Sequence, residues 1–157
     1  MTERTYSRLQ RRLHWVVVFL VVAETFLRSG IERAFDLGLE TGVFEMTSVV
    51  LAHFLIGTLV LALVLLRLIA LHERGLPSTT GAISTLAHSL LYGLLIVVPM
   101  TGVLAWGIGS ATLGWLHWLF NVLLYALAIA HVVALVFQHF VLKNKVLNRM
   151  FIDGPED

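Results

Sequence analysis

His117 and His131 stand at the two ends of an unbroken apolar run, HWLFNVLLYALAIAH. The fourteen-residue separation is almost four helical turns, which puts both imidazoles on one helix face about 21 Å apart along the axis. That rise covers most of a hydrocarbon core roughly 30 Å thick. Such a helix offers one nitrogen ligand near each membrane surface, as it must if it gives an axial ligand to each of two stacked haems. His14 and His53 lie in other apolar runs, and histidine is costly in hydrocarbon unless it is bonded or coordinated.

The elements that must position these side chains follow from composition. Of 157 residues, 58% are hydrophobic and only 13% charged, and the mean hydropathy is +0.87, far from a soluble domain. No Asp, Glu, Lys or Arg occurs between Arg74 and Lys143, or between Glu45 and Arg67. This leaves room for two spans and one span respectively. The pattern predicts an all-α integral membrane protein, a four-helix up-down bundle in one domain over residues 1–157, with spans near 13–27, 47–71, 83–106 and 115–142. The first span is short and interrupted by Glu24, and residues 28–46 read as an acidic connector. Gly75, Pro77 and Gly81 mark a turn over 72–82. Pro99 and Gly102 predict a kink in span three, and GIGSATLG a very short turn before span four.

Several classes are excluded. A net charge of +1 without a basic, aromatic-interleaved patch argues against nucleic acid. The lack of cysteine rules out disulfides, thiolate metal sites and covalent c-type haem. The first apolar run carries His14 and has no small-residue cleavage site, so it reads as a span rather than a signal peptide.

Four spans place both termini on one side. Arg4, Arg8, Arg11, Arg12, Arg67, Arg74, Lys143, Lys145 and Arg149 fall on that side and only Arg28 and Arg33 on the other. Positive residues favour the cytoplasm, so both termini are expected there. Trp106, Trp115 and Trp118 then sit at the outer interface. The histidines acquire depths: His53 with His117 outside, His14 with His131 inside. Two bis-histidine levels suit six-coordinate haem iron and one-electron transfer, and Gly57, one turn after His53, would let a macrocycle approach the backbone. Histidines that merely hydrogen-bond across helices are the plainer reading of any single one. A zinc or copper site is a weaker rival, because two histidines per level leave its coordination incomplete.

Taken in order, these motifs resemble the bacterial cytochrome b561 family, small four-helix di-haem cytochromes linked to quinone. YSRLQRRLHW at 6–15 resembles the family's opening, and His53, Gly57 and Arg67 reproduce its His-x3-Gly-x9-Arg. LAHSLLYGLLIVVPMTG at 86–102 resembles its third helix, and His117-x13-His131 its fourth. QHFVLKNKVLNRM at 138–150 resembles its closing segment. The resemblance covers nearly the whole chain outside 28–46.

It implies two haem b groups, with His14 and His131 as axial ligands on the cytoplasmic side and His53 and His117 on the periplasmic side. Arg67 would meet a haem propionate; snorkelling to the interface is the alternative. Arg11 and Arg12 read as solvated positive-inside charges, with a propionate contact as the alternative. His88 lies at the depth of the inner pair and would bond a propionate or a quinone carbonyl, unless it is a satisfied interfacial histidine. His72 and His139 read as solvated. Glu24, about 15 Å above His14, is expected to pair with Arg28, or else to exchange protons on the outer side. Two features depart from the family: Gln138-His139 replaces a common double histidine, and the connector between spans three and four is short. The implied activity is single-electron transfer between a periplasmic donor or acceptor and ubiquinone or another quinone. Superoxide:ubiquinone oxidoreduction and service as an electron-transfer subunit of a periplasmic redox complex both remain open. So does a haem-free structural or metal-transport membrane protein. The expected surroundings are membrane lipid of the bacterial inner membrane, quinone, a periplasmic redox protein or superoxide, with a second copy of the chain also open.

Overall fold

The computed structural model describes residues 8–74, 81–141 and 143. Arg4 and Tyr6, the 75–80 turn residues, and the closing segment from Asn144 onward lie outside the described residues. Four helices account for nearly everything else: α1 Arg8–Thr41, α2 Ser48–Arg74, α3 Ala82–Ile108 and α4 Ala111–Phe140. Each is long and apolar enough to cross a membrane. The architecture is an all-α, membrane-spanning four-helix bundle.

Neighbouring side chains give the register. Glu24 meets His53, and Gly30 faces Val49, so α1 and α2 are antiparallel. Arg67 lies over Tyr92 while Phe54 meets Trp106, which makes α2 and α3 antiparallel. His117 reaches Val98 and His131 meets His88, which does the same for α3 and α4. Val17, Val60 and Val64 form the buried centre, with Leu20, Val21, Leu63, Tyr92 and Leu95 packed around them. Much of the remaining apolar surface points outward, as it must where lipid is the solvent.

One difference from the sequence reading concerns α1. Glu24 does not interrupt it, and the helix continues through most of the connector to Thr41. At 34 residues it is about 51 Å long, well beyond a hydrocarbon core of roughly 30 Å. The reason is a helical stripe beneath the charges: Leu27, Gly30, Ile31, Ala34, Phe35 and Gly38 turn inward while Arg28, Glu32, Arg33 and Asp36 stay exposed. Arg28 and Glu32, one turn apart, add an ion pair at 2.7 Å. The helix stops where Gly42 takes φ 74°, its N–H bonded to the Gly38 carbonyl.

The turn between α3 and α4 is shorter still, Gly109 and Ser110 alone. Gly109 closes α3 in the left-handed region, and the Ser110 hydroxyl accepts the Leu113 N–H to open α4. Pro99 sits inside α3, which runs through it without a break.

Candidate functional site

The bundle arranges its titratable side chains at two levels. The upper level lies toward the α1–α2 and α3–α4 connections, the lower level toward the chain's N-terminus.

At the upper level His53 from α2 and His117 from α4 face each other, ring centres 6.1 Å apart and planes at 89°. Each has Nδ1 committed to an acceptor. His53 Nδ1 lies 2.5 Å from Glu24 Oε2, and His117 Nδ1 lies 2.9 Å from the Val98 carbonyl oxygen. A carbonyl only accepts, so Nδ1 carries the hydrogen in His117 and its lone pair is on Nε2; with Glu24 as carboxylate His53 takes the same tautomer. Val98 is reachable because Gly102, one turn on, has no side chain: a Cβ there would stand 2.9 Å from His117 Cε1. The Pro99–Gly102 stretch thus makes a notch for an imidazole.

Around the pair is a largely apolar cavity of about 450 Å³, lined by Glu24, His53, Gly57, Gly102, Trp106 and His117 among others. A Cβ on Gly57 would meet little but Glu24 Oε1, at 3.9 Å. Phe35, Phe44, Phe54 and Trp106 close the upper end in a chain of ring contacts.

Two participants differ from expectation. Glu24 does not pair with Arg28, whose guanidinium is held by Glu32. It turns inward to His53, because a helix pointing into lipid leaves a carboxylate no better partner than an imidazole N–H. Asn121, one turn after His117, was not singled out from the sequence. Its amide lies 3.1 Å from His117 Nε2, and i,i+4 spacing from a histidine was the signal available.

At the lower level α1 brings His14, α2 Arg67, α3 His88 and α4 His131. His14 is within electrostatic reach of Arg67, His131 and His88. The ring contact of His131 is with His88, centres 5.1 Å apart, and that of His14 is with Trp15. His88 Nδ1 donates to the Ser84 carbonyl one turn back, at 2.6 Å. Arg67 is buried, 8% exposed, with its guanidinium 5.7 Å from the Tyr92 ring centre. It therefore does not snorkel outward, and no carboxylate among the described residues pairs with it. Arg11 is also buried, unlike the exposed Arg12. His139 is half-buried rather than solvated.

The donor set can be tested against haem. With metal–nitrogen bonds of about 2 Å, imidazoles gripping one ion from opposite sides have centres roughly 6 Å apart, the spacing of His53 and His117. An acceptor on Nδ1 is the usual support for a histidine that binds metal through its other nitrogen. The Asn121 contact is one that a metal at Nε2 would replace. The cavity lies on the same pair, and a buried Arg67 with no carboxylate partner among the described residues suits an anionic group below. The residues fit. Among the described residues no three His, Cys, Asp or Glu side chains converge, as a closed zinc site requires.

Comparison with known proteins places the chain among relatives. Residues 5–152 match the family described as prokaryotic cytochrome b561. The chain is also 34% identical over 152 residues to cytochrome b562 of Cereibacter sphaeroides, covering 94% of this chain and 96% of that protein. With four membrane-length helices and matches along almost its whole length, the chain belongs to the prokaryotic cytochrome b561 family, as a multi-pass inner-membrane protein of the electron-transfer type.

Proposed function

We propose that this protein is a di-haem b-type cytochrome that moves single electrons between a periplasmic donor or acceptor and the membrane quinone pool. The observation that carries the proposal is the facing pair His53 and His117, spaced for one metal ion, with both Nδ1 atoms already committed. His53 and His117 hold the upper haem; His14 and His131 hold the lower one. Arg67 neutralises a propionate of the lower haem from a buried position, and His88 offers its Nε2 to a propionate or a quinone carbonyl. Haem supplies reversible one-electron chemistry when bound. The helices set ligand identity, spacing and exclusion of water.

Both termini are assigned to the cytoplasm, which makes the upper level periplasmic. Two electron partners fit there: superoxide, making the protein a superoxide:ubiquinone oxidoreductase, or a periplasmic redox protein. The second reading is favoured by the exposed Glu32, Asp36 and Glu40 on the far end of α1 beside a two-residue α3–α4 turn. Together they present an acidic, loop-poor face to a basic partner.

The test is haem stoichiometry of the purified membrane protein by pyridine haemochrome, with a reduced-minus-oxidised spectrum. Two haem b per chain and a b-type α band are expected; colourless protein overturns the proposal. Stopped-flow reduction by superoxide, against co-purification of a periplasmic redox protein, separates the two partners.

A further inference from the structure

We infer that Glu24 is a positioning residue for the upper haem: its carboxylate fixes His53 with Nε2 toward the metal and holds that haem's midpoint potential down. The inference rests on the haem reading above. An acid inside a membrane helix is expensive and is expected to have a specific partner. Glu24 has one, with Oε2 2.5 Å from His53 Nδ1 and both side chains mostly shielded, 22% exposed for the imidazole and 14% for the acid.

Among the described residues no cation pairs with that carboxylate. Arg28, the one basic residue a turn away, is bound to Glu32 at 2.7 Å. Glu24 Oε1 is buried and has no hydrogen-bond partner among the described residues, and it faces the open side of Gly57. Two effects then act in one direction. An acceptor on Nδ1 makes Nε2 a more basic ligand, which favours ferric over ferrous iron. A carboxylate charge beside the ligand, when Glu24 is ionised, favours the more positive oxidation state again. His117 has the neutral Val98 carbonyl at the same position, and His88 the neutral carbonyl and hydroxyl of Ser84. Among the described residues His53 alone has a carboxylate there. The two haems are therefore unequal by construction, the upper one being shifted toward lower potential than its own cavity would otherwise give.

The experiment is a spectroscopic redox titration of purified wild type, Glu24→Gln and Glu24→Ala, with haem content measured on each sample. Glu24→Gln keeps an oxygen for Nδ1–H and removes the charge. It should hold both haems while one of the two titrating components moves to higher potential and the other stays. The same shift should persist when His131→Ala is added, which leaves the upper haem alone. Glu24→Ala also removes the acceptor and should weaken upper-haem binding about 10- to 100-fold. Wild-type potentials in a Glu24→Gln protein that retains two haems, or undiminished upper-haem affinity in Glu24→Ala, would overturn the inference. Wild-type protein without haem would instead overturn the reading on which it rests.

Discussion

Among the described residues three imidazoles have a defined acceptor on Nδ1: Glu24 for His53, Val98 for His117 and Ser84 for His88. A histidine with that nitrogen occupied presents Nε2 as a lone pair, so ring orientation is set by the protein in advance. His14 and His131 differ, meeting Trp15 and His88 through their rings. Under the di-haem proposal, His117→Ala should lose the upper haem and keep the lower one, and His131→Ala the reverse. Pyridine haemochrome titration should give about half the wild-type haem in each, and unchanged content in either would defeat the assignment. The histidines were legible because their spacing is helical and their setting apolar. Their acceptors were not, because a backbone carbonyl on another helix leaves no mark in a sequence. Glu24 was visible as an intramembrane acid, yet the nearer cation in sequence, Arg28, drew the expectation the wrong way.

At the scale of elements, the ends of the helices explain how the site is held. Gly109 has φ 62° and lies against Phe44, where a Cβ would come within 2.9 Å of Cε2. Its neighbour Ser110 caps α4, so these two residues fix where His117 enters relative to Val98 and Gly102. Gly109→Ala forces a left-handed alanine, at about 1–2 kcal/mol, and displaces the Phe44 ring. Ser110→Ala removes the cap at about 1 kcal/mol. Both variants should melt earlier than wild type in detergent, with Gly109→Ala the worse; wild-type melting for Gly109→Ala would show that the turn does not matter. The acidic stretch 28–41 illustrates a different lesson. Its charges suggested a connector, while the inward stripe from Leu27 to Gly38 keeps helical spacing throughout. Charge content and periodicity disagreed, and periodicity won because α3 and α4 offer Phe35 an aromatic and glycine surface to pack on.

For the molecule as a whole, antiparallel helices in sequence order place the α1–α2 and α3–α4 connections at one end and the start of α1 at the other. Under the proposed orientation the positive side chains put the second end in the cytoplasm. An alkaline phosphatase fusion after Ser110 should be active and a green fluorescent protein fused at the C-terminus should fluoresce. The opposite pattern would invert the upper and lower levels relative to the cell and exchange the partners proposed for each haem.

The sequence by itself determined that the chain crosses a membrane four times and that its histidines recur at two depths. Both are consequences of one-dimensional quantities, the length of uncharged runs and the 3.6-residue turn. Only the tertiary structure decided that Glu24 belongs to His53, that Gly102 is a notch for His117 and that Arg67 is buried beside Tyr92. Those contacts join different helices, and their partners depend on axial register and rotation between helices. Van der Waals packing sets both, through side-chain shapes that meet only after folding.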